Sequence, residues 1–178
     1  MTVGGPASPC LEAMRLVPFS ADHLDAMAEV IFDDDVRRFT GFPEPPDLAW
    51  LPTLLERYER GREEGVRAGF AVLDAGGAFA GLALAVSIDA EGRQCELGYL
   101  VAPAFRGRGV ATWSLAELTR WAFDDQRLLR CELLIEAGNA GSRLVAERCG
   151  YVCEGVRRSV HLKGGRRGDQ AIYARLAA

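Results

Sequence analysis

The sequence predicts one mixed α+β domain. Three observations carry that expectation. The middle of the chain holds three apolar runs, "GFAVLDA", "AFAGLALAVSID" and "RQCELGYLV", separated by "GG" and "AEG". Short glycine-bearing breaks between strand-like runs are the pattern of consecutive antiparallel strands. On either side of this region, apolar residues recur at helical spacing. The resulting order, β, α, α, β, β, β, α, β, α, β, β, holds a strand–helix–strand unit that a right-handed parallel crossover closes.

Taken in order, residues 1–10, rich in Gly, Pro and Ser, read as a flexible tail, and 11–178 as the domain. "EAMRLVPFS" is a first strand. Ser20 caps a helix whose Leu24, Met27, Ala28 and Ile31 make one stripe. "DDDVRRFTGFPEPPD", full of acids and prolines, reads as a loop. Leu51, Leu54, Leu55 and Tyr58 repeat the stripe in a second helix, with Pro52 tolerable in its first turn. The run "AFAGLALAVSID" is apolar at almost every residue, which implies cover on both faces. From Gly109 the period switches, and Ala111, Leu115, Leu118 and Ala122 share a helical face. "LRCELLIEA" is a strand and "AGSRLVAERCG" a short helix closed by Gly150. "YVCEGVRRSVHL" and "DQAIYARLA" are final strands around the turn "KGGRRG".

Composition removes several function classes. The chain has 178 residues, 49% hydrophobic and 26% charged, with a formal net charge of −4. That balance argues against bulk nucleic-acid binding, which needs cations against phosphates. No apolar run approaches the roughly 18 residues of a membrane span, and "MTVGGPASPC" lacks the basic start and apolar stretch of a signal peptide. A cytoplasmic location is the expectation. Five cysteines (Cys10, Cys95, Cys131, Cys149, Cys153) at scattered spacing do not make a disulfide framework. With only His23 and His161 available, no metal site is expected.

"FRGRGVAT", Phe105 to Thr112, is the informative corner. A strand feeding a glycine turn into a helix is a generic anion site, because the first helical N–H groups have no intrahelical partner. Arg106 and Arg108 add charged donors. A dinucleotide fold wants G-x-G-x-x-G, but Thr112 stands where the third glycine belongs. A P-loop wants a Lys after its second glycine, and the only Lys of the chain is Lys163. What fits is R/Q-x-x-G-x-G/A, as Arg106-Gly107-Arg108-Gly109-Val110-Ala111. This is the acyl-CoA pyrophosphate loop of the GNAT superfamily of N-acyltransferases, which the chain resembles. "CELGYLVAPAFRGRGVAT" resembles that family's fourth strand, loop and third helix. "EAGNAGSRLVAERCGYVCEGVRR" resembles its fifth strand, fourth helix and sixth strand. "GDQAIYARL" resembles the last strand of the branch holding the ribosomal-protein N-terminal acetyltransferases.

The resemblance implies a mostly antiparallel twisted sheet of about seven strands, flanked by four helices, with a parallel splay between the fourth and fifth strands. It implies acetyl-CoA as co-substrate, with Arg106, Gly107, Arg108, Gly109, Val110 and Ala111 around the pyrophosphate. Backbone of Leu100 and Val101 would pair with the pantetheine arm, an N–H near Val101 would receive the oxyanion, and Asn139 and Ser142 would lie against the pantetheine. The implied activity is acetyl transfer to a primary amine, a protein N-terminus or a small-molecule amine, by direct attack in a ternary complex. The competing reading is a non-catalytic acyl-CoA sensor, and a homodimer is an open expectation.

Thioester aminolysis needs a neutral amine, a stabilised oxyanion and a proton for the leaving thiolate. Glu96, in a mostly apolar strand, is the candidate base; its alternative is a structural ion pair with an arginine such as Arg93. Ser142 and Tyr151 compete as proton donor, with a helix cap and a core aromatic as their alternatives. Cys149 reads as a core thiol, and Trp113 and Trp121 as packing. His161 reads as exposed or packed, with substrate contact as the second reading. Asp33–Asp35, at the negative end of the first helix, hint at a cationic acceptor. "KGGRRG" is a polar turn first, and second a docking patch for an acidic partner or the CoA 3′-phosphate.

Overall fold

Seven strands form one sheet in a computed structural model, which describes residues 11 and 13–177. The elements are β1 (Arg15–Pro18), α1 (Leu24–Val30), α2 (Asp34–Phe39), α3 (Trp50–Glu63), β2 (Ala68–Leu73), β3 (Phe79–Asp89), β4 (Gln94–Val101), α4 (Val110–Arg120), β5 (Arg130–Glu136), α5 (Ala140–Arg148), β6 (Val152–Lys163) and β7 (Arg166–Leu176). Their spatial order is β1-β2-β3-β4-β5-β7-β6. The proposed tail, residues 1–10, lies outside the described residues, as does the side chain of His161.

Every neighbouring pair is antiparallel except β4 and β5, the ends of the central crossover through α4. That parallel ladder is short. It joins Gln94 to Arg130, Cys95 to Cys131 and Glu96 to Glu132, and then stops. β4 runs on to Val101 and β5 to Glu136 without pairing to each other. The register of β3 against β4 slips between Ala85 and Ser87, opposite the point of divergence. The extra residue there, Val86 of β3, is of the kind that bends a strand and sharpens its twist.

Alternation along the strands builds two cores. Ala83, Ala85 and Leu97 face Leu115 and Leu118 of α4, with Leu133 and Tyr173 in the same cluster. Leu82 and Leu100, one residue out of phase, face Met27, Leu54 and Tyr58 on the α1/α3 side. β3 is covered on both faces, as its unbroken apolar run predicts.

One expectation fails. The segment beginning "DDDVRRF" is not all loop: it contains α2, so five helices flank the sheet instead of four. The Asp33 carboxylate accepts the Val36 amide at 3.0 Å and caps the helix, Asp34 and Asp35 occupy its first turn, and Arg37 and Arg38 its last. The acids read as sitting badly at the end of one helix sit favourably at the start of the next, and both charge signs match the dipole.

Val101 of β4 pairs with Gly81 of β3. A Cβ there would lie 2.1 Å from the Leu100 carbonyl oxygen. Gly81→Ala is expected to force the two strands apart, at a cost of about 1–3 kcal/mol. Urea denaturation with unchanged m and a lower midpoint is the expected result.

Candidate functional site

Past Glu96, β4 presents an unpaired edge, and the chain then turns through Pro103–Phe105 into "RGRG". Gly107 and Gly109 hold φ of +72° and +84°, a backbone that side-chain-bearing residues rarely adopt. Gly109 is the residue before α4, and no side chain caps that helix. Among the described residues its first amides therefore remain available to an anion, and none approaches a Cβ position on Gly107 within 4 Å. The Arg106 amide, by contrast, is already bonded to the Pro103 carbonyl at 3.3 Å.

The side chain of Arg106 is also engaged. Its guanidinium meets Asp33 at 2.5 Å and Asp35 at 3.3 Å, and its Nε reaches the Val101 carbonyl at 3.4 Å. Burial works to raise the Asp33 pKa, but Arg106 and the Val36 amide outweigh it and leave the carboxyl below its ordinary value. Arg108 lies over the Phe105 ring at 5.7 Å. The two arginines thus do different things: one ties the loop to the start of α2, and the other stays unpaired with any carboxylate among the described residues.

Two cavities meet beside this edge. A groove of about 300 Å³ runs past Leu100, Val101, Arg106, Ala111, Asn139, Gly141 and Ser142. A second cavity, about 240 Å³, is lined by Phe42, Trp50, Arg57, Tyr58, Glu96, Gly98 and Glu136. Phe39, Thr40, Tyr99, Leu100, Asn139 and Ser142 line both, so these residues mark the junction. The Asn139 side chain caps α5 by accepting the Ser142 amide at 3.0 Å. That leaves the Ser142 hydroxyl without a hydrogen bond to protein among the described residues. The Tyr99 hydroxyl is buried, and Ser142 is the polar side chain that faces it among the described residues. Burial pushes the Tyr99 pKa up to about 12.

Glu96 is half-buried in the second cavity, beside Glu132 across the ladder. Burial raises its pKa above the ordinary 4.5, Glu132 adds to the rise, and Arg67 and Arg157 oppose it. The ion pair with Arg93 does not form; that guanidinium donates to the Arg127 carbonyl at 2.6 Å.

The structure does not bring Tyr151 to the site. It is 3% exposed, its hydroxyl lies 2.7 Å from Thr119 Oγ1, and it lines neither cavity. A tyrosine that follows the short α5 turns into the α4/sheet core, where its hydroxyl needs a buried partner. Cys149 donates weakly to the Thr112 carbonyl at 3.4 Å, and burial raises its pKa. Trp121 packs edge-on to Phe70 at 5.2 Å. Sequence reasoning missed Tyr99, although it stands in "ELGYLV" next to the Leu100–Val101 pair. It also missed the acidic tether on Arg106.

A sheet opened by the parting of two parallel strands, with a glycine turn feeding a helix at the mouth, defines an acyl-CoA-dependent enzyme. The chain belongs to the GNAT acetyltransferases: residues 14–152 match the acetyltransferase (GNAT) domain. It is 29% identical over 158 residues, 85% of each chain, to YdaF of Bacillus subtilis (strain 168), assigned provisionally as a ribosomal N-acetyltransferase. Its fold matches RimL, the ribosomal L7/L12 alpha-N-protein acetyltransferase, solved with coenzyme A (TM-score 0.84, 18% identity, 96% of each chain). It also matches the spermidine N-acetyltransferase of Vibrio cholerae, solved with CoA and spermine (TM-score 0.82, 22% identity, 93% of this chain and 96% of that one).

Two outcomes are expected. Asn and Asp both tolerate the left-handed backbone at position 107, so comparing Gly107→Asn with Gly107→Asp isolates charge. The Asp variant should bind CoA about tenfold more weakly than the Asn variant, a difference of about 1.4 kcal/mol by calorimetry. Tyr151→Phe should cost about 0.5–1.5 kcal/mol of stability while leaving kcat within about twofold; a collapse of kcat in a folded protein would return Tyr151 to the site.

Proposed function

We propose that this protein transfers an acetyl group from acetyl-CoA to a primary amine by direct attack within a ternary complex. The observation that carries the proposal is the meeting of the two cavities at Tyr99, Leu100 and Ser142, with Glu96 on the far side. The groove past Val101 and Arg106 suits the pantetheine and pyrophosphate. The cavity around Trp50, Tyr58 and Glu96 suits the amine. The relatives' names point to the same chemistry, since a protein N-terminus and spermidine both react through a primary amine.

The roles follow from position. Unpaired β4 edge near Leu100 and Val101 supplies hydrogen bonds to the donor's extended arm, and an amide there stabilises the oxyanion. Glu96, as carboxylate, takes the proton from the attacking nitrogen, through a water where the amine does not reach it directly. The C–N bond forms, the C–S bond breaks, and the departing thiolate is protonated by Ser142 or by Tyr99 beside it. An α-amino group, titrating near pH 8, asks less of the base than a side-chain amine, and we favour a protein N-terminus as the acceptor.

Glu96→Gln tests this on two axes. Its folded pKa is raised, so the stability the protonated carboxyl contributes is present below pH 4.5 and lost as pH rises through the folded value. At neutral pH the variant should therefore melt higher than the wild type, and the gap should close in acid. Its kcat should fall about 100-fold at neutral pH and recover partly at high pH, where the free amine is neutral without help. An unaltered pH–rate profile removes Glu96 as the base.

A further inference from the structure

Beside the amine cavity lies a larger one, about 580 Å³, whose walls carry five cations: Arg37, Arg38, Lys163, Arg166 and Arg167. On a chain of net charge −4 this is a concentrated positive surface. Three acids share it, Asp34, Glu44 and Glu136. Two of them are spent on one cation: Arg37 pairs with Asp34 at 3.2 Å and with Glu44 at 3.5 Å. Lys163 donates to the Thr40 and Phe42 carbonyls. Arg38, Arg166 and Arg167 are exposed and have no carboxylate within 4 Å among the described residues. Arg38 lies over the Phe39 ring, and Arg167 holds only the Ser159 carbonyl.

The two cavities are continuous in construction. Glu136 lines both, and Thr40 and Phe42, which Lys163 grips, are walls of the amine cavity. The β6–β7 turn and the end of α2 thus form a cationic rim on the approach to Glu96. None of the residues around Arg106–Ala111 lines this rim, which separates it from the pyrophosphate loop. An acceptor chain whose amine reaches Glu96 leads its following residues outward past the arginines. Guanidinium groups pair with carboxylates in a two-point geometry, and they repel a polyamine.

We propose that the acceptor is a polypeptide whose amino terminus is followed by acidic residues, and that Arg38, Arg166 and Arg167 select it. This rests on the reading of the site as an amine acetyltransferase. The arginines stand away from the reacting atoms, so their contribution appears in KM and not in kcat. Exposed ion pairs are individually weak, and three together are worth about tenfold.

The test uses the full chain, acetyl-CoA and three peptides that share their first residues and continue with glutamates, serines or lysines. KM for the glutamate peptide should be about tenfold below that for the serine peptide, with the lysine peptide weakest and kcat similar throughout. The preference should shrink in high salt and in Arg166→Ser/Arg167→Ser. Equal KM values, a preference for the lysine peptide or spermidine, or a preference that survives the double substitution overturns the proposal. Fluorescence anisotropy with a labelled glutamate peptide separates this from the catalytic reading. Salt-sensitive binding lost in the double variant, without turnover of any peptide, upholds the rim and overturns acetyl transfer to N-termini. Absence of binding overturns the rim whatever amine the enzyme acetylates.

Discussion

The parting of β4 from β5 after Glu96 is the constraint on which the rest of this molecule depends. A parallel pair that stays zipped offers no edge, no groove and no passage between the faces of the sheet. Here the ladder stops after three residue pairs, and β4 continues to Val101 with backbone groups facing open space. Residues from both faces of β4, Glu96 and Gly98 on one and Leu97 and Tyr99 on the other, line a single cavity. That is possible only where the neighbouring strand is gone. Unmet amides and carbonyls in a partly apolar cleft are costly, and on the proposed reading the extended arm of the donor meets them.

The same geometry explains the cost carried by Glu96. It stands at the last rung of the ladder, with Glu132 as its partner in register. A buried carboxylate beside another carboxylate resists ionisation, and Arg67 and Arg157 do not cancel that effect. Such a placement is poor for stability, and on the proposed reading it makes Glu96 a stronger base than an exposed carboxylate.

Most of the fold was legible in the sequence because periodicity reports burial. The doubly apolar run of β3, the stripes of α1 and α3, and the period switch at Gly109 each translate directly into packing. The α2 segment was not legible, because its signal is capping and charge placement, with Val36 its only buried residue. The glycine turn was visible as a local motif, whereas the partners of its arginine were not. Asp33 and Asp35 reach Arg106 across more than seventy residues of chain, and no short-range pattern encodes that. Tyr151 misled for a related reason. A tyrosine looks the same in sequence whether its hydroxyl faces a thiolate or, as here, Thr119 in the core. The cavity around Glu96 draws on α2, α3, β4 and β5 together, so its composition emerges only once the sheet has folded.

Charge is arranged along the acceptor path with opposite signs at its two ends. Glu96 lines the inner cavity, and Arg38, Arg166 and Arg167 line the outer one. A protein N-terminus followed by acidic residues carries the complementary dipole, cationic at the amine and anionic beyond it. Such an acceptor is oriented before it docks, because a reversed approach would set amine against arginine and carboxylate against carboxylate. On the proposed reading the Glu96 carboxylate attracts the protonated amine, the common form below pH 8, and must then remove the proton that drew it in. A raised Glu96 pKa reconciles these two demands. It narrows the pKa difference between the carboxyl and the ammonium, so on this reading attraction and activation share one side chain.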